Sequence, residues 1–282
     1  MRAVIVCLLA SVSLFGQDSL GRAEELYQKT EYKSSLEVLA ALKPDGAVEL
    51  LIGKNYFMLG EYKRATDALQ KAYAFEPRSS VCAHWLGRAF GRRAETSNWF
   101  VAPSYASKAR QYFEQAVALD PSNGEAENDL FDYYLEAPGI LGGGYEKAEA
   151  VAAHIAKRNP AEGAFARAQL ADRRSQYDTA EEQLRRAMQL APRSVGRILD
   201  LAKYLAKRGR YQESEAAFDK AQQLEPNAPK ILFARANVYI QEKRNLDQAR
   251  GLLVKYLHSD LSPDDPPRQA AEKLLKQASS GG

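Results

Sequence analysis

The residues that most often carry chemistry in proteins are few in this sequence and stand far apart. The 282 residues include three histidines, His84, His154 and His258, and two cysteines, Cys7 and Cys82. No histidine belongs to an HExxH pair, and no cysteine belongs to a CxxC or CxxCH motif. The sequence therefore predicts no catalytic residues, no metal site and no cofactor, and we expect a protein that is not an enzyme.

One glycine-rich segment superficially resembles a phosphate-binding loop. Residues 142–147 read GGGYEK, but they lack the GxxxxGK[ST] spacing and no predicted strand precedes them. We interpret the segment as a tight connection between helices. Carboxylates are plentiful, yet an enzyme would require groups that converge from several distant segments.

The overall composition excludes several classes of protein. Apolar residues make up 45% and charged residues 27%, which is not the composition of a disordered tail. The net charge of +3 is small, so we expect no nucleic-acid partner. No run of about 18 apolar residues occurs, so no membrane span is predicted in the mature chain.

The first residues have the pattern of a secretory signal peptide. Arg2 precedes a mostly apolar, uncharged run over residues 3–15, and Gly16 offers a small residue for cleavage before Gln17. The alternative is a buried N-terminal helix. We predict a signal peptide over residues 1–16 and an exported protein, whose mature chain keeps Cys82 alone and forms no internal disulfide.

Six of the twelve prolines recur at intervals of 32 to 44 residues, mostly near 34, which indicates internal repeats. They stand at positions 44, 77, 121, 160, 192 and 226. A second regularity precedes most of them, in which a small residue is followed after four positions by Leu or Phe and after three more by Ala. The instances are Ala65/Leu69/Ala72, Ala109/Phe113/Ala116, Ala180/Leu184/Ala187 and Ser214/Phe218/Ala221.

These spacings place each triplet on one face of a helix, which the proline then ends. An apolar stripe such as Ile52-Gly53-x2-Tyr56 precedes each triplet, and a turn such as Leu59-Gly60-Glu61-Tyr62 separates the two. Glycine suits such a turn because it tolerates a left-handed conformation. Each unit is therefore predicted to be helix, tight turn, helix, proline.

The pattern resembles the tetratricopeptide repeat (TPR), a helical hairpin of about 34 residues with the signature W-x2-L-G-x2-Y…A-x3-F…P. The predicted repeats are 17–45, 46–79, 80–123, 124–162, 163–194, 195–228 and 229–262, followed by a capping helix over 265–278 within a single TPR domain, 17–282. The resemblance implies an all-α TPR helical-hairpin solenoid, a right-handed superhelix of about seven repeats. First helices line its concave groove, which in this family holds a protein or peptide partner.

Two insertions interrupt the repeats. Arg92–Pro103 carries the adjacent aromatics Trp99 and Phe100, which either pack back onto the stack or are exposed for contact. We expect packing, because exposed apolar patches reduce solubility. Ala137–Gly144 is glycine-rich and predicts a defined turn. The pair of insertions resembles secreted bacterial TPR proteins, which implies a periplasmic or secreted protein.

Groove residues follow from the register of the first helices. The proposed partner-binding set is Leu50, Lys54, Phe57, His84, Arg88, Asn128, Asp129, Asp132, Leu199, Lys203, Lys207, Phe233 and Asn237. Glu125, Asp129, Asp132 and Glu136 share one helix face, which is either a solvated surface or part of a charged groove. Leu50 and Asp129 stand where the family's carboxylate clamp needs Lys and Asn, so that specificity is not predicted.

The sequence thus favours an exported scaffold or adaptor that binds proteins through its groove. One alternative is an accessory module of an envelope enzyme complex. Another is a carbohydrate-binding envelope protein that uses Trp99, Phe100 and Tyr133.

Overall fold

The computed structural model describes residues 19–280, and every regular element within that range is helical. The predicted signal peptide lies outside the described residues. The α-helices are α1 (19–28), α2 (Tyr32–Leu39), α3 (Gly46–Met58), α4 (Tyr62–Phe75), α5 (Ser80–Thr96), α6 (Ala102–Leu119), α7 (Gly124–Glu136), α8 (Tyr145–Arg158), α9 (Pro160–Arg173), α10 (Tyr177–Leu190), α11 (Val195–Lys207), α12 (Tyr211–Leu224), α13 (Pro229–Gln241), α14 (Leu246–Leu257) and α15 (Arg268–Ser280). A 3₁₀ turn, Gly139–Leu141, lies between α7 and α8.

The helices belong to two compact units. Unit 1 contains the described residues up to Tyr133 together with 137–142, and unit 2 contains 134–136 and the residues from 143 onward. Unit 1 is built from the pairs α1/α2, α3/α4 and α5/α6 and most of α7. Unit 2 is built from α8, the pairs α9/α10, α11/α12 and α13/α14, and α15. No helix among residues 19–280 is long and apolar enough to cross a membrane.

The small and large residues of the repeated triplets form the contact between paired helices, as the spacing predicts. All twelve of them are buried. In unit 1 a side chain on Gly53 would lie 2.4 Å from Leu69, and one on Gly87 would lie 2.7 Å from Phe113. The glycine of each first helix therefore leaves the space that the large residue of the second helix fills.

Serine takes the small position in two hairpins and adds a hydrogen bond there. The hydroxyl of Ser35 donates to the carbonyl of Ala23, and the hydroxyl of Ser214 donates to the carbonyl of Ala202, each at 2.8 Å. Both serines are buried. These bonds satisfy hydroxyls that would otherwise destabilise a buried helix contact.

The turns between paired helices use a left-handed residue in both units. Gly60 and Gly209 have φ values of 75° and 74°, as expected from the sequence. Equivalent turns place Thr30, Ser175 and Lys243 at φ values of 60°, 58° and 51°. The turn geometry is thus retained where glycine is absent.

Core clusters link successive hairpins of unit 2. The cluster around Phe218 includes Val195, Ile198, Leu199 and Ala202 of α11 and Ile231, Ala234 and Val238 of α13. A second cluster joins α13 and α14 to Ala271 and Ala278 of α15. Because each hairpin shares its apolar face with the next, the core is continuous along the unit.

Three boundaries differ from the sequence-based expectations. The residues Arg92–Thr96, predicted as part of an insertion, extend α5, so the connection to α6 is only five residues long. Helix α9 begins at Pro160 rather than at residue 163, because proline is well suited to the first turn of a helix. The last helix begins at Arg268 rather than at residue 265.

Candidate partner-binding surfaces

Three successive first helices of unit 1 contribute to one connected group of side chains, which we call the unit 1 cluster: Lys54, Phe57, Trp85, Arg88 and Asp129. The rings of Phe57 on α3 and Trp85 on α5 meet edge to face with centroids 5.4 Å apart. The guanidinium of Arg88 lies 4.3 Å from the Trp85 centroid and 5.0 Å from the Phe57 centroid. Such contacts hold the arginine head in place at the surface.

Asp129 joins α7 to this cluster. Its Oδ2 atom lies 2.7 Å from Nε2 of His84 and 3.7 Å from Nε of Arg88. The side chains of Arg88 and Asp129 are each about one-third exposed, whereas that of His84 is buried. The buried His84 therefore orients the carboxylate of Asp129 and offers no exposed surface to a partner. Its predicted place in the groove is corrected accordingly.

Lys54 extends the cluster toward the start of α7. Its Nζ lies 5.2 Å from the centroid of Trp85. Burial lowers the pKa of Lys54, and the carboxylate of Glu125 opposes part of that shift. The lysine thus contacts an aromatic ring and is influenced by the charge of an acidic residue.

The remaining predicted residues of unit 1 lie beside this cluster. Leu50 and Asn128 are half-buried, and Asp132 is exposed. Trp85 was not predicted as a groove residue, because the assumed register selects His84 and skips its neighbour. The sequence did contain a signal for Trp85, since this large aromatic residue stands about one helical turn before Arg88 and therefore shares its helix face.

In unit 2 the first helices α9, α11 and α13 surround a cavity of about 270 Å³, which we call the unit 2 cavity. Phe165, Leu184 and Val238 supply apolar wall, and the polar lining includes Gln169 and Gln241. The predicted residues Lys203 and Lys207 line it, together with Asp172 and Asp200. The structure therefore brings these two lysines together with two carboxylates that were not predicted as site residues.

The charged groups of the unit 2 cavity are layered. The side chains of Asp172 and Asp200 are 23% and 18% exposed, whereas those of Lys203 and Lys207 are 50% and 64% exposed. Lys207 Nζ lies 2.7 Å from Oδ2 of Asp172, and Lys203 Nζ lies 3.8 Å from Oδ1 of Asp200. The interior of the cavity is thus acidic and its rim is basic.

Burial and neighbouring charges act in opposite directions on the pKa of Asp200. Arg197 Nη2 lies 3.2 Å from Asp200 Oδ2, and Glu162 lies on the other side of Arg197. Burial raises the pKa of Asp200 more than Arg197 and Lys203 lower it, and Glu162 adds to the increase. Because burial dominates, the charged carboxylate destabilises the folded state relative to a neutral group.

We expect Asp200→Asn to raise the free energy of unfolding at neutral pH. The destabilisation by Asp200 begins as pH rises through the ordinary Asp pKa of 3.8 and is complete above the raised pKa of the folded state. The gain from asparagine should therefore shrink as pH falls from the raised pKa toward 3.8, and it should be lost below 3.8. Urea unfolding at several pH values measures it, with the exposed Asp260→Asn as control; lower stability of Asp200→Asn at neutral pH would contradict the prediction.

Of the two predicted apolar anchors of unit 2, one belongs to the core and the other is half-buried against it. Leu199 is 4% exposed and packs in the Phe218 cluster, so its predicted groove position is corrected by the structure. Phe233 is half-buried, with its ring 5.3 Å from that of Tyr256 on α14. Asn237 is half-buried on α13. The assumed register fails at Leu199 because α11 carries buried apolar residues on more than one face. The spacing rule assumes a single apolar face.

The aromatic pair between α5 and α6 is exposed, which overturns the expectation that it packs onto the stack. Trp99 and Phe100 are 75% and 74% exposed, and their rings stack on each other with centroids 3.7 Å apart. Ile140 in the second insertion is 94% exposed. Tyr133 instead donates a hydrogen bond to the carbonyl of Leu141 at 2.9 Å. Among residues 19–280 no group of three or more His, Cys, Asp or Glu side chains is arranged to bind a metal ion.

Comparison with known proteins finds one matching repeat and several solved structures with a similar fold. A tetratricopeptide repeat family model matches residues 198–228. The structure is similar to that of a tetratricopeptide repeat protein from Parabacteroides merdae, with a TM-score of 0.59, 15% identity, and coverage of 93% of this chain and 98% of that one. It also aligns with the C-terminal part of a TPR repeat-containing protein from Cytophaga hutchinsonii, with a TM-score of 0.49, 14% identity, and coverage of 91% and 99%.

A comparison with curated protein sequences finds no match. The hairpins, their turns and their shared core define an all-α helical-hairpin solenoid. Residues 198–228 match the tetratricopeptide repeat model, and the described helices have the fold of a tetratricopeptide repeat protein.

Proposed function

We propose that the protein is an exported interaction scaffold that binds an extended segment of a protein partner through the first helices of its hairpins. The observation that carries the proposal is the unit 1 cluster, in which the partly exposed Phe57, Arg88 and Asp129 from α3, α5 and α7 are connected through the buried ring of Trp85. Residues from three successive hairpins would then contact one ligand.

The chemistry of this cluster is that of protein interfaces. Aromatic side chains and arginine are enriched where partners bind, because they bury large area and form directed polar contacts. Arg88 and Asp129 are only one-third exposed and are already oriented by their neighbours. A partner that binds them loses little side-chain entropy on association.

Site-specific photo-crosslinking tests the scaffold proposal. A benzophenone amino acid at Phe57 in the native host should give partner adducts that mass spectrometry identifies. The matched control places the same group at Phe75, which is 55% exposed on the second helix α4. Adducts that are absent at position 57, or equal at both positions, would count against the proposal.

Export is the second part of the proposal and rests on the pattern of residues 1–16. Under this proposal the mature protein begins near Gln17 and resides in the bacterial periplasm or outside the cell. The intact mass of protein recovered from the native envelope would measure this. Protein recovered from the cytosol with its N-terminus intact would contradict export.

The exposed aromatic pair favours one alternative function, the binding of envelope carbohydrate. Trp99 and Phe100 present apolar ring surface that solvent reaches, and sugars stack on such rings. Quenching of tryptophan fluorescence by envelope sugars, lost in Trp99→Ala, would support it. The other alternative, an accessory module of an envelope enzyme complex, is a special case of the scaffold proposal in which the bound partner is an enzyme.

A further inference from the structure

We infer that the unit 2 cavity is a subsite for a basic side chain, preferably arginine, of the bound partner. This inference rests on the proposed scaffold function and assigns chemistry to a second surface. The cavity volume of about 270 Å³ lies just below the range of roughly 300–1,000 Å³ of small-molecule sites. That volume suits one long side chain that enters between α9, α11 and α13.

One buried oxygen of the cavity lacks a hydrogen-bond donor. Oδ1 of Asp172 is buried and accepts no hydrogen bond, whereas Oδ2 of Asp200 lies 3.2 Å from Nη2 of Arg197. An ionised carboxylate only accepts hydrogen bonds, so the missing group must be a donor. A buried acceptor without a donor is destabilising, so a ligand that supplies one gains more than it would at an exposed carboxylate.

The charge of the interior selects a cation. Asp172 and Asp200 form the inner layer, and Glu242 adds a third carboxylate to the lining. The ammonium groups of Lys203 and Lys207 belong to flexible, half-exposed or exposed side chains. A bound guanidinium would replace Lys207 at Asp172, and the released lysine would contact an acidic neighbour in the partner.

The apolar wall fits the stem of the same ligand. Phe165, Leu184 and Val238 line the cavity together with the aliphatic Ala168 and Ala206. Long basic side chains bury their methylene groups against such surfaces while the charged end meets a polar partner. Arginine is preferred over lysine because its guanidinium has five donors, which serves acceptors on two separate carboxylates.

The presence of an ionisable residue at the buried position 200 fits a binding role. Burial raises its pKa and its charge opposes folding, so stability alone would favour a neutral residue. Ionisable groups that are held at such a cost often belong to functional sites. A cationic ligand would reverse the effect, since it stabilises the ionised form.

NMR titration of the ¹⁵N-labelled protein tests the subsite with three defined probes. N-acetyl-arginine amide should shift backbone amide signals of α9, α11 and α13. N-acetyl-citrulline amide, a neutral analogue of similar shape, should bind about tenfold or more weakly, because it loses the charge-assisted hydrogen bonds. N-acetyl-glutamate amide should not bind at this site.

Matched variants separate the carboxylates from general surface charge. Asp172→Asn and Asp200→Asn should each weaken the arginine probe about tenfold, whereas Asp260→Asn should leave its affinity unchanged. Equal binding of the arginine and citrulline probes, tighter binding of the glutamate probe, or shifts confined to other helices would overturn the inference. Chemical-shift dispersion of each free variant checks that it is folded.

The outcome is independent of the test at Phe57. Partner adducts at position 57 without binding of the arginine probe would leave the scaffold proposal standing and reject the basic-side-chain subsite. Failure of both experiments would reject both proposals.

Discussion

Replacing Phe218 with alanine is expected to lower the free energy of unfolding by about 3–5 kcal/mol. The ring is fully buried and contacts apolar residues of α11 and α13 as well as its own helix. Its removal leaves a cavity that rigid helices on both sides fill only in part. Because this ring links two hairpins, the unfolding transition should also broaden, which urea denaturation monitored by circular dichroism would record.

Two further variants make this prediction specific. Phe218→Leu keeps most of the apolar volume and should lose less stability than alanine. Phe75→Ala removes an equally large ring that is 55% exposed, so its effect should be within about 0.5 kcal/mol. Similar losses for Phe218→Ala and Phe75→Ala would show that Phe218 does not carry the packing described.

Replacing Ala109 with phenylalanine is expected to destabilise unit 1 by about 1–3 kcal/mol through overpacking. Ala109 has no exposed surface and faces α5 where that helix carries glycines. A Cβ on Gly91 would lie 4.0 Å from the Cβ of Ala109, and one on Gly87 would lie 3.3 Å from its carbonyl oxygen. A phenyl ring fits this gap only if α5 and α6 move apart.

Gln111→Phe is the control for this substitution, since it adds the same ring at an exposed position of α6. Its effect should be a few tenths of a kcal/mol, the difference in helix propensity. Thermal unfolding compares the two variants. A melting temperature of Ala109→Phe equal to that of the control would mean that Ala109 does not lie at the closest approach of the two helices.

The hairpin architecture was predictable from the sequence because each hairpin repeats the same local constraint. Ala109 and Phe113 occupy one helix face by spacing alone, and both are buried as expected. Gly163 was not recognised as part of this constraint. A side chain there would lie 2.4 Å from Cα of Ala156, a contact between α8 and α9 that depends on a crossing angle the spacing does not specify.

The partner-binding surfaces were less predictable, since the register of a helix does not give the depth of a residue. Lys203 and Lys207 line the unit 2 cavity, while Leu199 on the same helix is buried beneath it. Asp172 was missed because it reaches the cavity from α9, the first helix of a hairpin whose repeat pattern is degenerate. Only the packing of α9 against α11 brings Asp172 to Asp200 and the two lysines.

The packing of α15 also has a consequence for self-association. Ala271 and Ala278 cover apolar surface of α13 and α14, where an internal hairpin would meet its successor. Without α15, the apolar surface of α13 and α14 would be exposed, and it resembles the surface on which one hairpin of unit 2 packs against the next. Contacts between such non-equivalent surfaces are heterologous, so successive copies would add head to tail, into rings or filaments. By covering this surface, helix α15 stabilises the last hairpin and would oppose the head-to-tail addition of a second copy.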